Sequence, residues 1–207
     1  MIRRLAPLVL AALALAPRAA DALLSVDVFY GLTRPPSASF SAAVAGAQNN
    51  PDLIASSLQI AGGDVLLHLG TLELGAIVDT SFKSGSASQT AVGALGGVGF
   101  DLLKTLRVEA LGEVGGQRYG DFTKNPSILT ASSKSEWLAY VGLRPGVAYR
   151  FDVGPAGFLV GLWGFVRWDL TTSTVPVTVA SASGTQPGSV KLGGATIGAV
   201  ARVGLDF

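Results

Sequence analysis

The sequence predicts an all-β fold, an eight-stranded antiparallel up-and-down β-barrel, and three observations lead there. Beyond residue 22, apolar residues alternate with others at a period of two, and helical periodicity is scarce. The alternation falls into eight blocks, and an even number suits a closed up-and-down barrel. The connections between blocks alternate in length, placing tight turns on one rim and larger loops on the other.

Composition narrows the setting. The chain has 207 residues, 49% hydrophobic and 14% charged, where an ordinary domain carries about 25% charged residues. Yet no run reaches the ~18 apolar residues of a membrane-spanning helix. The net charge of +1 gives no field to steer a nucleic acid. Absence of Cys excludes disulfides, thiolate metal sites, cysteine nucleophiles and a lipoprotein anchor.

The first element is an address. Met1-Ile2-Arg3-Arg4 is basic, Leu5 to Ala16 is apolar, and Ala20-Asp21-Ala22 has the small-x-small form of a cleavage site. These are the three parts of a secretory signal peptide over residues 1–22, with a mature barrel domain expected over 23–207. Processing there removes three arginines and one aspartate, taking the net charge from +1 to −1.

The strands follow in order. In the first, about 25–32, Val26, Val28, Tyr30 and Leu32 share a face opposite Asp27. The second, about 58–69, sets Ala61, Val65 and Leu67 against Asp64 and His68. In the third, about 72–82, Leu72, Leu74, Val78 and Phe82 oppose Glu73 and Asp79. The fourth, about 89–101, groups Val92, Ala94, Val98 and Phe100 against Asp101 and several glycines. Leu106, Val108, Ala110 and Val114 of the fifth, about 106–117, oppose Arg107, Glu109 and Glu113. The sixth, about 136–151, has Trp137, Val141, Leu143, Val147, Tyr149 and Phe151 against Glu136, Arg144 and Arg150. In the seventh, about 158–170, Phe158, Val160, Leu162, Val166 and Trp168 oppose Arg167 and Asp169. The last sets Ile197, Ala199, Ala201, Val203, Leu205 and Phe207 against Arg202 and Asp206.

Proline placement agrees with these limits: Pro35, Pro36, Pro51, Pro126, Pro155, Pro176 and Pro187 are read as lying between strands. Pro145 alone falls inside one, and with Gly146 beside it a bulge is expected.

Alternation does not say which face is inside. A soluble barrel turns its apolar face inward, a membrane barrel turns it to lipid. The loop asymmetry favours the membrane, and so do the aromatics. Phe82, Trp137 and Trp168 end strands at the long-loop rim, while Phe100, Tyr149, Phe151, Phe158 and Phe207 end them at the other. All share the apolar face, forming two belts at interface heights. Strands of about 9–11 residues then suffice to cross, with every backbone group paired inside the sheet.

The closing Val203-Gly204-Leu205-Asp206-Phe207, an alternating strand with a terminal Phe, resembles the C-terminal assembly signal of bacterial outer-membrane proteins. Over the whole mature chain the pattern is similar to the small eight-stranded OmpA/OmpX-type barrels. The resemblance implies a Gram-negative outer-membrane location, recognition of Val203, Leu205 and Phe207 by the assembly machinery after secretion, and a barrel without a peptidoglycan-binding domain.

On the inward parity lie Asp27, Asp64, Glu73, Asp79, Glu109, Glu113 and Asp169 with Arg107, Arg144, Arg150, Arg167 and Arg202. Opposite charges in so narrow a lumen should pair, Glu109 with Arg144 and Asp101 with Arg107 being register guesses. Eight strands are just wide enough for their own side chains, so a filled, non-conducting lumen is expected. Enzyme chemistry is not expected: His68 is the only His, no Ser stands beside it in sequence, and neither a metal nor a cofactor site is legible. The Gly93–Gly99 stretch lacks the following Lys-Ser/Thr of a phosphate loop. Function then falls to the loops, 33–57 and 171–190 above all. Within them Val175-Pro176-Val177-Thr178-Val179 is read as a ribbon protruding above strands seven and eight. The expectation is a monomeric envelope structural or surface adhesion protein with outer-membrane lipids as partners, no nucleic acid, and a surface ligand the sequence does not name. A narrow channel or transporter for small solutes or apolar compounds is the alternative.

Purified outer membranes should hold this protein as a band whose gel migration shifts on boiling; a soluble, unshifted band would refute the membrane barrel.

Overall fold

In the computed structural model, which describes residues 23–36, 39–42, 55–102, 105–126, 128–153, 156–181 and 184–207, eight long strands form a closed ring. The signal peptide expected over residues 1–22 lies outside the described residues, as do Pro51 and Pro155. The strands are β1 (Leu23–Arg34), β2 (Ser39–Ala42), β3 (Leu58–Leu69), β4 (Leu72–Phe82), β5 (Ser88–Leu102) and β6 (Leu106–Gly120). They continue as β7 (Ile128–Ala131), β8 (Ser135–Val153), β9 (Ala156–Asp169), β10 (Ser173–Ser181), β11 (Gly184–Leu192) and β12 (Ala195–Asp206).

The ring order is β1-β12-β9-β8-β6-β5-β4-β3, all neighbours antiparallel, and β1 closes it by pairing with both β12 and β3. Near the closure, Phe207 N donates to Leu24 O at 2.9 Å, so both ends of the barrel chain meet at the short-turn end. Phe207 therefore completes the seam as well as ending the last strand. The eight alternating blocks correspond to these eight strands, whose ends match or pass the limits read from sequence except that β9 and β12 each stop one residue earlier. Outward positions carry the exposed apolar side chains, among them Val28, Leu32, Leu74, Val114, Leu143, Leu162 and Ile197. Both aromatic belts lie on that face, with Phe82, Trp137 and Trp168 at the long-loop end. Phe100, Tyr149, Phe151, Phe158 and Phe207 stand at the other end, where Tyr149 and Phe151 have ring centres 4.7 Å apart.

Three expectations need correction. The bulge at Pro145 is absent. The β8–β9 register is the same before and after Arg144 and Pro145, and Ala110 stands opposite Pro145 without a shift on β6. The missing N–H leaves a gap in one ladder, which an outward-facing residue tolerates without an inserted neighbour. Pro176 and Pro187, read as lying between strands, are inside β10 and β11. Pro176 keeps one bond to the chain after β7, its carbonyl accepting from Ser132 N at 2.9 Å, and its missing N–H falls just past the last β7 ladder pair, at the end of that pairing.

The third correction concerns the ribbon. The β10–β11 hairpin does form, but it is the centre of a second, four-stranded sheet ordered β2-β11-β10-β7. Short strands from two other connections cover both of its edges. The open edges for strand addition therefore belong to β2 and β7, not to the hairpin. One face of this sheet packs on the barrel mouth. Val175, Val177, Val179, Val190 and Leu192 form a single apolar cluster with Ile128 and with Leu58, Ala87, Tyr119, Phe122 and Leu138 of the barrel rim. The period-two pattern of Val175, Val177 and Val179 thus encodes a buried face, each such side chain worth about 1.5–3 kcal/mol.

Val190 is wholly buried in this cluster, so Val190→Asp should release the hairpin from the rim, because an unpaired buried charge costs several kcal/mol at least. Limited proteolysis should then cut within 173–192 while the heat-shifted barrel band persists; unchanged resistance would contradict the packed cap.

Candidate functional site: a charged lumen beneath an apolar cap

Below the cap the inward positions combine charges with aromatic rings. Inward glycines make the room: a side chain at Gly146 would occupy the place of the Trp163 indole. Two ion clusters occupy the tube. In the first, Arg167 of β9 reaches across to β4 and β6. Its Nη1 donates to Asp79 Oδ1 at 3.1 Å and its Nε to Glu113 Oε1 at 3.0 Å. Tyr140 donates to the same Glu113 oxygen at 2.7 Å. Arg144, wholly buried, lies 3.5 Å from Glu113 and 4.0 Å from Asp79. Its guanidinium sits among the rings of Phe29, Trp163 and Phe165, at 5.3, 5.1 and 5.1 Å from their centres. The rings supply the favourable field that a dry arginine otherwise lacks.

The second cluster lies nearer the short-turn end. Arg107 pairs with Glu73, with Glu109 at 3.2 Å and with Asp101 at 2.9 Å. Arg202 donates to Glu109 Oε1 at 2.6 Å, approaches Asp27 at 3.7 Å and stacks on Trp163 at 4.0 Å. Trp163 Nε1 donates to the other Glu109 oxygen at 2.9 Å, so this one indole touches both clusters. Arg150 and Asp206 come within 3.6 Å at the rim. Above both clusters, Tyr119 donates to Asp169 at 2.6 Å beneath the cap.

Ten of the twelve charges read as inward join in ion pairs; Asp169 instead accepts from Tyr119, and Asp64 has no ion-pair or hydrogen-bond partner among the described residues. Of the two register guesses, Asp101–Arg107 is a contact and Glu109–Arg144 is not. Arg144 stands opposite Leu111 and Glu109 opposite Gly146, so Arg144 takes Glu113 and Glu109 takes Arg202. The lumen is also less balanced than even pairing would give. Asp27, Asp64, Glu73, Asp79, Glu109, Glu113 and Asp206 are buried against only Arg107, Arg144, Arg167 and Arg202 as permanent cations. Asp64 faces Asp27 directly across β1 and β3, and neither of its oxygens is hydrogen-bonded.

The sequence reading missed the inward aromatics Phe29, Tyr119, Tyr140, Trp163 and Phe165 and the serine of the lower cluster. A signal was present: each aromatic lies on the charge-bearing parity of its strand. Ser25 was invisible by sequence proximity because it comes from β1. Its Oγ lies 3.1 Å from His68 Nε2, and His68 Nδ1 lies 3.1 Å from Glu73. No Ser stands beside His68 in sequence, but the fold brings Ser25 of β1 to it, giving a buried line of serine, histidine and carboxylate. Arg107 Nη2 also lies 2.9 Å from His68 Nδ1, so the imidazole sits between Ser25, Glu73 and Arg107. Ser25 itself is wholly buried and donates to Asp27 at 3.3 Å. Among the described residues, no group of His, Asp and Glu is arranged to hold a metal. Outside the wall, the Lys124 ammonium at 2.8 Å and the Ser88 hydroxyl hold the Asp121 carboxyl below the usual carboxylate range.

An apolar outer wall around a charged interior is the solvent pattern of a barrel in lipid. No protein-family model matches the chain, and no curated protein matches it. Solved structures do. The crystal structure of the outer membrane protein OprG from Pseudomonas aeruginosa aligns over 90% of this chain and 96% of its own, at 10% identity and a TM-score of 0.53. Neisserial surface protein A aligns over 89% and 97%, at 10% identity and 0.49. Ail of Yersinia pestis, the attachment invasion locus protein, aligns over 88% and 99%, at 10% identity and 0.38. The fold is that of the small eight-stranded outer-membrane β-barrels, the OmpA/OmpX-like class, closed and antiparallel throughout.

Removing one partner from a buried ion pair costs about 3–5 kcal/mol, so Arg167→Met should lower the urea unfolding free energy of the refolded barrel by that order. The double variant Arg167→Met/Asp79→Leu should recover part of the loss; identical midpoints for all three proteins would exclude a structural role for the pair.

Proposed function

We propose that this chain is an integral outer-membrane protein in which the barrel is a closed anchor and the four-stranded sheet is the working surface. The observation that carries this reading is the double obstruction of the lumen. Ion pairs and aromatic rings fill the tube, and the apolar cluster under β10 and β11 seals its mouth. Both obstructions oppose passage of a hydrated solute, since paired charges and rings crowd the tube and a mainly apolar cluster lies over its mouth. The wall supports anchoring, because exposed side chains such as Leu162 and Val28 are more than 60% accessible and need lipid around them.

The sheet is suited to presentation. It is held by its buried face, while Thr174, Pro176 and Ala180 of β10 and Lys191 of β11 point away from the barrel. Contact with a partner on another cell, a matrix or a second envelope protein would use that face or the edges of β2 and β7. The protein acts on this reading as a surface interaction or envelope structural protein, delivered by a cleaved signal peptide. A transport role has a distinct signature: the excess of luminal carboxylates would make any current cation-selective.

In planar bilayers the purified protein should give no reproducible openings, whereas steady cation-selective currents would favour transport. Replacing 173–192 by a short Gly-Ser linker should leave the barrel heat-modifiable and abolish cell-surface binding; retained binding would exclude the sheet as the contact surface.

A further inference from the structure

Outward-facing charge is almost absent from the wall. Among the described barrel-strand residues of outward parity, only Arg34 at the end of β1 and Arg118 near the end of β6 are charged. Both are arginines, and both stand at the long-loop end. They lie four strands apart in the ring of eight, so on opposite sides. The outward positions at the other end are Phe100, Leu102, Tyr149, Phe151 and Phe207, with no charge. The asymmetry concerns one membrane leaflet only.

Pairing separates these two arginines from the rest. Each of Arg107, Arg144, Arg150, Arg167 and Arg202 has a carboxylate within 4.0 Å. Neither Arg34 nor Arg118 has a carboxylate within 4.0 Å or a hydrogen-bond partner among the described residues; the Asp121 carboxylate, already held by Lys124 and Ser88, acts on Arg118 only through space.

The surroundings of the two are alike. Thr80, Thr90, Arg118 and Trp137 are directly paired positions on four successive strands, forming a row across the outer wall. Thr80 and Thr90 are joined through their hydroxyls at 3.3 Å. The Trp137 ring, 56% exposed, lies over Gly116, and the Arg118 guanidinium extends past it to the level of Gly120 and Ser135. Arg34 lines an open notch of about 340 Å³ with Pro35, Pro36, Gly193, Gly194 and Ile197. A belt tryptophan stands beside this notch as well, because its further lining residue Ala195 is paired with Trp168. Tryptophan at the interface with an arginine reaching above it is the arrangement that places a guanidinium at headgroup height. A guanidinium there offers two parallel N–H donors, the fork that fits a phosphate.

We infer that Arg34 and Arg118 are seats for phosphate groups of lipids in the leaflet at the long-loop end, and that these lipids fix the height and tilt of the barrel. This inference rests on the outer-membrane reading above. The occupant is a phosphorylated lipid and not free phosphate, because each arginine is joined to an apolar outer wall that only acyl chains cover. The lipid supplies the close, forked phosphate contact that no carboxylate of the described residues makes to either arginine.

Native mass spectrometry of the detergent-refolded barrel tests it, with a bisphosphorylated glucosamine lipid, its dephosphorylated form and inorganic phosphate as probes. Wild type should retain the phosphorylated lipid and neither of the others. Arg34→Gln and Arg118→Gln should each weaken retention by about tenfold, the size expected for losing a charge-assisted contact, and the double variant should lose it. Heat-shifted migration would show that the variants remain folded. Undiminished retention by the double variant, equal retention of the dephosphorylated lipid, or binding of inorganic phosphate alone would overturn the inference. A barrel that fractionates with outer membranes yet fails this test refutes only the lipid seats; one that fractionates as a soluble protein refutes the reading beneath them.

Discussion

Closure of the sheet is the constraint on which everything else depends. Because β1 pairs with β12 as well as β3, no barrel strand is left with an open edge. An outer wall made of Val, Leu and aromatic side chains becomes compatible with hydrocarbon only under that condition, since an unpaired backbone group there costs several kcal/mol. Closure also creates an interior of fixed, small cross-section. Side chains on the inner parity meet partners from strands far away in the ring, as Arg167 of β9 meets Asp79 of β4.

The interior answers that confinement in a particular way. Charges alone would be poorly compensated in so dry a space, and buried ion pairs contribute little net stability over apolar packing. Here rings share the task, with Trp163 accepting the faces of Arg144 and Arg202 while donating to Glu109. The network is better understood as specifying one register. A slip of a single residue would carry Glu113 or Arg167 to the outer wall and bring its apolar neighbours inside. Breaking any pair is therefore costly even where making it brings modest gain.

An apolar cluster separates the charged interior of the barrel from the four-stranded sheet over its mouth. Tyr119 links the two regions, packing in the apolar cluster through its ring and bonding Asp169 through its hydroxyl. The surface sheet consequently inherits the rigidity of the barrel rim. Cation placement follows the same division, with the guanidiniums inside the tube close to carboxylates and Arg34 and Arg118 on the outer wall without a carboxylate within 4.0 Å among the described residues.

The alternation of Val, Leu and aromatics with Asp, Glu and Arg determined the eight strands, their lengths to within a few residues, and the face each charge occupies. Period-two geometry leaves a side chain only two directions, so those properties are local. Parity already separates Trp163, on the side of Arg167, from Trp168 on the apolar side, although residue type alone does not. Tertiary structure alone decided the pairing of Arg144 with Glu113, the approach of Ser25 to His68 and the gathering of β2, β7, β10 and β11 into one sheet. Each joins residues distant in sequence, and their meeting is set by shear around the ring and by how the connections pack over its mouth. Neither quantity is written into any single strand, because both are properties of the closed assembly of all eight.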